Sequence, residues 1–320
     1  SGDTGSAAIA ALAGLESVDV VILYPDGRVS DVQRRQMNTV GDSNIRAVAV
    51  DGTFDDCQDL VKAAFSDPVL KAKHSLAAVN SINWARVMCQ AAYYVWTTAR
   101  VGRCSVAVPT GNFGNVLAAN VARTMGAPLD RLVVGTNANH GMADVIEGGR
   151  LSLDEVVPTL APAMDIQVSS NFERYLFDLY GRDADRVRRF IAGMRADRSL
   201  VLDEVHHARL AEVFVASWLD DAGIDEMIGR VHAETGLLID PHTATGWSAA
   251  ERHRRPGETM VTVSTAHPAK FPEAVRAATG VEPELPSDLA DLATRPERIW
   301  HMAAEPAELT DLLDEVSASR

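Results

Sequence analysis

The stretch AVPTGNFGNVLAAN contains a turn with two glycines between two apolar runs. The first run predicts a buried strand near Val106, and the second predicts a helix from about Val116. Backbone amides in such a turn, together with the start of the helix, can bind an anion such as phosphate. Glycines in a strand-to-helix turn often serve only the geometry of the chain, so the pattern alone leaves both interpretations open. The residues of this candidate phosphate loop are Gly111, Asn112, Phe113 and Gly114.

Other ligand-binding patterns are missing from the sequence. The motif GxGxxG of dinucleotide-binding folds does not occur, and no Gly-Lys pair exists, which excludes a P-loop. The nine histidines include no HExxH pair, and no His or Cys cluster has the spacing of a zinc site. We therefore predict no bound metal.

A second candidate site lies in VNSINWARV, where Ser81, Asn83 and Arg86 lead from a predicted strand into a helix. A hydroxyl, an amide and a guanidinium within one turn of each other could bind a second oxyanion, since arginine offers paired planar donors. The alternative is a helix cap followed by an exposed arginine. Taken alone, the segment favours that alternative.

A third polar group follows the apolar run that precedes VSTAHPAKF. Ser264, Thr265 and His267 stand just after this predicted strand. Open α/β sheets present functional side chains at the carboxyl ends of their strands. The alternative is an ordinary polar strand end.

The elements that must position these residues alternate between Val- and Ile-rich runs and amphipathic segments, which is typical of a parallel sheet covered by helices. We predict an α/β fold. The predicted strands are residues 18–24, 45–50, 76–79, 104–108, 131–135 and 260–264. The predicted helices are residues 31–40, 54–65, 84–100, 116–125, 183–195, 203–222, 224–235 and 305–316. Residues 148–171 show no clear period and are expected to wrap the surface.

Composition limits the classes of protein and partner. The chain has 320 residues, which predicts two lobes, and we place them at residues 1–100 and 101–280 with a helical tail at 281–320. A net charge of −14 argues against nucleic-acid and anionic-membrane partners. The longest apolar stretch is far shorter than the roughly 20 residues that cross a bilayer. Three cysteines without CxxC spacing favour a reducing cytoplasm.

Seven motifs in this order carry a resemblance to a known family: SGDTG, ILYP, NSIN, PTGNFGN, AMDIQVSSNFERYLFDL, DPHTA and TAHPAKF. The chain closely resembles threonine synthase, a pyridoxal-phosphate enzyme with the tryptophan-synthase-β-like fold (fold type II). The resemblance runs from residue 1 to about residue 280. It implies two lobes with parallel sheets covered by helices.

The resemblance implies roles for particular residues. Gly111, Asn112, Phe113 and Gly114 would bind the cofactor phosphate, Thr265 would meet the pyridine nitrogen, and Asp3 would border the phenolic oxygen. Ser1, Gly2 and Thr4 would form the loop around the substrate carboxylate. The phosphate of the substrate, O-phospho-L-homoserine, would bind to Ser81, Asn83, Arg86 and Asn115. The resemblance implies at most a supporting role for Asp240, His242, Thr243, His267 and Lys270.

The implied reaction converts O-phospho-L-homoserine and water to L-threonine and phosphate, the last step of threonine biosynthesis. In the family, the lysine that forms the Schiff base stands in a Phe-Lys-Asp stretch upstream of the SGDTG loop, where this sequence begins. The four lysines present are Lys62, Lys71, Lys73 and Lys270, and none has a matching context. We expect this sequence to be the larger C-terminal part of such an enzyme, with little activity of its own.

Two alternatives remain. One is a non-catalytic relative that binds an anionic metabolite through the same loops. The other is a threonine or serine dehydratase, which shares the fold and the cofactor. The segment from Ser81 to Arg86 and the motif TAHPAKF favour the synthase over the dehydratase.

Overall fold

The longer strands, such as VVILYP, IRAVAVD and CSVAVP, contain short runs of Val, Ile and Ala, and most of their residues are buried, as a parallel sheet between helices requires. The computed structural model of the protein describes residues 2–80 and 83–318. These residues fall into two units. The first unit runs up to Val79 and resumes at Glu284, and the second extends from Asn80 to Pro283.

The elements of both units are numbered in chain order. The strands are β1 (Val20–Pro25), β2 (Ile45–Asp51), β3 (Cys104–Pro109), β4 (Leu129–Thr136), β5 (Arg150–Ser152), β6 (Ser199–Val201), β7 (Phe214–Trp218), β8 (Met260–Thr262) and β9 (Trp300–Ala303). The helices are α1 (Gly2–Leu12), α2 (Asp31–Asn38), α3 (Phe54–Ser66), α4 (Pro68–His74), α5 (Trp84–Val101), α6 (Gly114–Thr124), α7 (Gly141–Gly148), α8 (Phe172–Leu179), α9 (Ala184–Asp197), α10 (Glu204–Ala211), α11 (Asp221–Thr235), α12 (Pro241–His253), α13 (Pro272–Thr279) and α14 (Pro306–Ala318).

The first unit is built on a parallel sheet in the order β1-β2-β9. Ser30 and Thr53 begin α2 and α3 with capping boxes, in which the cap and the third helical residue exchange hydrogen bonds. Val48 and Val50 of β2 pack with Leu60 of α3 and Leu309 of α14 in one core cluster. The C-terminal segment is thus part of this unit's sheet and core.

The second unit is built on a four-stranded parallel sheet in the order β7-β4-β3-β8. Its central strand β3 is buried along its whole length and β4 along most of it, with Val106, Val108 and Val134 completely buried. The short strands β5 and β6 form a separate antiparallel pair. The α/β prediction with parallel sheets is confirmed.

The division of the chain differs from the predicted one. Helix α5 was predicted to lie in the first lobe, but it packs against α6 and belongs to the second unit. Residues 281–320 were predicted to be a helical tail, but β9 pairs with β2 in the first unit. Strand β9 has only four residues, WHMA, which is too short for a periodic pattern to indicate a strand.

Three local predictions were wrong. Residues 76–79 form no strand. The helix predicted at 203–222 contains strand β7, whose run FVASW pairs with β4 in the sheet. Residues 148–171 do not merely wrap the surface, since Ala161, Met164, Ser169 and Asn171 are buried. For β7, pairing with β4, which the local pattern does not contain, decides the outcome.

Within the described ranges, no helix is long and apolar enough to cross a membrane. Across the same residues, no three His, Cys, Asp or Glu side chains are grouped so that they could hold a metal ion.

Candidate functional site

The candidate phosphate loop follows β3, the buried strand that lies between β4 and β8. Thr110 fixes the end of this strand. Its amide donates to the Gly135 carbonyl at 2.8 Å, and its hydroxyl donates to the Val108 carbonyl at 2.8 Å. Helix α6 begins four residues later at Gly114. The structure therefore places a tight turn and a helix start at the carboxyl edge of the central strands, where α/β folds bind ligands.

Phe113 anchors this loop in the core. Its backbone has φ 61° and ψ 4°, a left-handed conformation that is unusual for a residue with a side chain. Its ring is 1% exposed and lies 5.3 Å from the ring of Phe172 and 5.4 Å from that of Phe214, measured between centroids. This aromatic packing holds the turn in a strained, left-handed conformation.

The loop backbone makes a close contact with the backbone of the segment around Ala163. A β-carbon on Gly111 would lie 2.5 Å from the carbonyl oxygen of Ala163. Among the described residues, the amides of residues 111–114 donate to no carbonyl and no side chain. Unpaired amides are ordinary at a helix start, and here they are continuous with the turn before it. Four available donors in such a turn fit a phosphate.

The loop carbonyls are held by the segment before α8. The Ser169 hydroxyl donates to the Gly111 carbonyl. The Asn171 side chain donates to the Asn112 carbonyl at 3.0 Å, and the Asn171 amide donates to the same oxygen at 3.2 Å. Since the carbonyls are engaged on this side, the amides of the loop remain free for a ligand.

A buried polar network organises the same segment around Asp165. Its carboxylate accepts from the side chain of Asn137 at 2.7 Å, from the side chain of Asn139 at 3.1 Å, and from the hydroxyl and amide of Thr159 at 2.7 and 3.0 Å. Burial raises the pKa of Asp165, and the hydrogen bonds from Thr159 and Asn137 oppose that rise. These residues were not predicted to have a role, although Asp165 and Asn171 lie in the motif AMDIQVSSNFERYLFDL.

Thr265 lies at the same edge of the sheet as the loop. Thr262 of β8 is paired with Ala107 of β3, and the Val263 amide donates to the Ala107 carbonyl at 2.9 Å. Thr265 and Thr110 each stand three residues beyond that pair. Thr265 is exposed and thus open to a ligand at this edge.

The proposed substrate-phosphate residues lie on α5 and α6, which pack together. Asn83 caps α5 by accepting from the Ala85 amide at 2.9 Å. Asn115, in the first turn of α6, accepts from the hydroxyls of Tyr93 and Tyr94 at 2.5 Å each. Burial raises the pKa of Tyr93 to about 12, and the charge of Arg86 opposes that rise. Arg86, Tyr93 and Asn115 therefore form one polar group beside the phosphate loop, while Ser81 lies outside the described residues.

Asp240, His242 and Thr243 form a buried group at the start of α12. Asp240 is completely buried and accepts from His242 Nδ1 at 2.8 Å, from the His242 amide at 2.9 Å and from the Thr243 amide at 3.1 Å. The Thr243 hydroxyl also contacts this carboxylate. His267 caps the short helical turn Pro268–Lys270. Three of the five residues with predicted support roles are thus brought together.

The N-terminal residues belong to the first unit. The resemblance implies a substrate-binding loop here, but α1 already begins at Gly2, so Thr4 stands in a helical turn. Ser1 lies outside the described residues. Gly5 is required for packing, not for a turn, because a β-carbon there would lie 2.8 Å from both Ile22 and Met37.

Three of the four lysines lie on exposed helix surfaces of the first unit. The amine of Lys62 lies 2.8 Å from Asp59, and that of Lys73 lies 2.5 Å from Asp314. The amine of Lys71 lies 5.9 Å from the centroid of the Phe65 ring. Such contacts are typical of solvated lysines. Lys270 ends the short turn after His267 in the second unit.

Comparison with known proteins extends over nearly the whole chain. Residues 1–194 match the family described as pyridoxal-phosphate dependent enzyme, and residues 243–313 match the family described as threonine synthase, C-terminal. The threonine synthase of Pseudomonas aeruginosa is 44% identical over 315 residues, which cover 97% of this chain and 67% of that protein.

Two solved structures share the fold. The PLP-bound threonine synthase of Brucella melitensis is 42% identical, with a TM-score of 0.92 over 98% of this chain and 69% of that one. The yeast threonine synthase is 34% identical, with a TM-score of 0.88 over 99% of this chain and 68% of that one. This chain spans about two thirds of the length of these relatives. It belongs to the threonine synthase family of pyridoxal-phosphate-dependent enzymes, with their fold type II architecture.

Proposed function

We propose that this chain provides the cofactor-phosphate and substrate-phosphate sites of a threonine synthase, which converts O-phospho-L-homoserine and water to L-threonine and phosphate. The observation that carries the proposal is the set of available amides at residues 111–114, in a turn whose carbonyls are engaged by Ser169 and Asn171. Those amides would hold the phosphate of pyridoxal phosphate. Bound there, the cofactor supplies the electron sink that stabilises a carbanion next to the substrate amine.

The neighbouring residues orient the two molecules. The Thr265 hydroxyl, at the same sheet edge, would face the pyridine nitrogen, and a neutral hydroxyl would leave that nitrogen unprotonated. Arg86 and Asn115, with Asn83, would bind the substrate phosphate. Burial lowers the pKa of Arg86, and this partly dehydrated guanidinium would bind an anion more strongly than a fully solvated one. One such group outweighs a distant and screened net charge of −14.

A binding experiment tests both sites at once. The chain is titrated with pyridoxal phosphate and with pyridoxal, and then with O-phospho-L-homoserine and with L-homoserine. Since charge-assisted hydrogen bonds are worth about 1.5–3 kcal/mol, removal of either phosphate is expected to weaken binding at least tenfold. Equal affinities with and without the phosphate would contradict the assignment.

The lysine that forms the Schiff base is, in this proposal, none of Lys62, Lys71, Lys73 and Lys270. The first three are engaged in surface contacts of the first unit. Borohydride reduction of the chain with bound cofactor, followed by peptide mass spectrometry, is expected to label no lysine above the surface background. The chain alone is accordingly expected to release no phosphate from O-phospho-L-homoserine above the buffer rate. Stoichiometric labelling of one lysine would overturn this part of the proposal.

The proposed compartment is the cytoplasm. Cys57, Cys89 and Cys104 are free thiols, which suits a reducing environment.

A further inference from the structure

The buried pair of Asp240 and His242 lies behind the phosphate loop and has no part in the function proposed above. Asp240 Oδ2 lies 2.8 Å from His242 Nδ1, and His242 Nε2 lies 3.2 Å from the amide nitrogen of Ala163. An amide can only donate, so Nε2 accepts and must be unprotonated. The ring proton is then on Nδ1, where it is donated to Asp240. The two contacts together fix one neutral tautomer of His242.

Ala163 connects this histidine to the loop. Its amide donates to His242, and its carbonyl oxygen lies against Gly111, 2.5 Å from the position of a β-carbon there. The residue stands in the short helical turn Pro162–Met164, where Met164 is buried. The direction of the Ala163 peptide groups therefore determines how closely the segment approaches the loop backbone.

The same carboxylate also reaches the segment of Thr265. The Thr243 hydroxyl donates to Asp240, and Thr243 Oγ1 lies 3.5 Å from Ser264 Oγ. Because the Thr243 hydrogen is directed to Asp240, Ser264 is the donor in that contact. One buried carboxylate is thus connected through His242 to the back of the phosphate loop and through Thr243 to the residue before Thr265.

We propose that His242 is a positioning residue for the phosphate loop: Asp240 fixes its tautomer, its Nε2 holds the Ala163 amide, and the Ala163 carbonyl braces Gly111. The inference rests on the proposed function, since the loop matters as a phosphate site only if it binds the cofactor. His242 itself is behind the loop and touches no reacting atom. Its effect is on the geometry of the amides at residues 111–114.

Two substitutions separate the two hydrogen bonds of the ring. In His242→Gln the side-chain oxygen can take the place of Nε2 and accept from Ala163. In His242→Asn the shorter amide can still donate to Asp240 but cannot reach Ala163. His253→Gln is the matched control, because His253 ends the same helix α12 and its Nε2 lies 2.9 Å from the Ala216 carbonyl oxygen, away from the loop.

Two readouts are measured on the whole chain. The first is hydrogen exchange of the Ala163 amide and of residues 110–115 without ligand. The second is the affinity for pyridoxal phosphate relative to pyridoxal. In His242→Asn we expect exchange to accelerate and the preference for the phosphorylated form to fall, each about tenfold, since one hydrogen bond to a buried donor is lost. In His242→Gln and in His253→Gln both readouts should stay within about threefold of the wild type.

The possible outcomes separate a failure of the positioning role of His242 from a failure of the proposed cofactor site. If the wild type prefers pyridoxal phosphate and His242→Asn behaves like His242→Gln, the positioning role is overturned while the cofactor site stands. If the wild type shows no preference but exchange responds as expected, the cofactor site is overturned while the contact from His242 to Ala163 is supported. Should the substitutions prevent folding, the ring nitrogen signals of wild-type His242 decide: a proton on Nδ1 supports the inference, and a proton on Nε2 overturns it.

Discussion

The carbonyl oxygen of Ala163 lies 2.5 Å from the point that a β-carbon on Gly111 would occupy, so only glycine fits at this position without movement of the backbone. This contact joins the short helical turn Pro162–Met164 to the turn after the central strand β3. The contact explains why residue 111 is a glycine although its backbone is not left-handed. Even the smallest substitution, Gly111→Ala, is therefore expected to disturb the candidate phosphate loop.

Because the backbone of Phe113 is left-handed, we expect glycine to be at least as stabilising as alanine at this position, which is the reverse of their order in a helix interior. Phe113→Ala removes a buried ring and is expected to lower the free energy of unfolding by about 3–5 kcal/mol. In a helix interior glycine costs about 1 kcal/mol more than alanine. At φ 61° we expect Phe113→Gly to be at least as stable as Phe113→Ala. Urea unfolding measures both, and a lower stability for glycine would show that the backbone is not strained.

Asp165→Asn tests whether the hydrogen bonds or the charge of this carboxylate have the larger effect on the free energy of unfolding. Burial alone would make removal of the charge favourable, as the raised pKa indicates. However, the carboxylate faces only donors, and an Asn side chain would direct its own NH₂ group towards some of them. We therefore expect the free energy of unfolding to fall by about 1–3 kcal/mol.

The control for that substitution is Asp178→Asn. Asp178 forms an exposed pair with Arg182 at 3.0 Å, and such pairs are worth about 0–1 kcal/mol. Equal effects of the two substitutions in urea unfolding would contradict the network described around Asp165.

Arg86→Gln is expected to weaken binding of O-phospho-L-homoserine by about ten- to hundredfold, because a charge-assisted contact is lost. Binding of L-homoserine should change little. Arg100→Gln is the matched control, since Arg100 lies in the last turn of the same helix with its guanidinium 4.1 Å from the centroid of the Trp96 ring. Isothermal titration of both variants checks the assignment, and equal losses would place the substrate phosphate elsewhere.

The buried thiol of Cys57 is expected to make the stability of the protein depend on pH, independently of the candidate site. Burial raises the pKa of the Cys57 thiol to about 11, whereas Cys89 is exposed. An aromatic disulfide reagent at pH 8 should label Cys89 quickly and Cys57 only on unfolding. Because the unfolded thiol ionises near pH 8.5, the contribution of Cys57 to stability is complete below that pH and is lost as the pH rises towards 11. Rapid labelling of Cys57 at pH 8 would contradict its burial.

Local sequence patterns predicted much of the fold. Strands β1 to β4 each contain an apolar run of at least three residues, and most of the long helices are amphipathic, so the local pattern was sufficient to find them. Strand β7 was missed because its five residues lie between two helical patterns, and only pairing with β4 makes them a strand. The two units could not be delimited because β9 is separated from β2 by some 250 residues of sequence.

The candidate site was predictable only in part. The glycines of the turn at residues 110–114 are visible in the local pattern, and its role as a phosphate site stays a prediction. The contacts behind it connect Gly111 with Ala163 and Ala163 with His242, residues that are far apart in sequence. No local pattern encodes such long-range backbone contacts. The quoted motifs indicated that these segments matter, without indicating for what.

The most direct test of the phosphate loop is the affinity of Gly111→Ala for pyridoxal phosphate, measured beside that of Gly193→Ala. The control adds the same methyl group in helix α9, where nothing lies within 4 Å of the new β-carbon. We predict that Gly111→Ala binds pyridoxal phosphate at least about tenfold more weakly than the wild type. Gly193→Ala should bind as the wild type does. Unchanged affinity in a correctly folded Gly111→Ala protein would contradict the assignment of this loop to the cofactor phosphate.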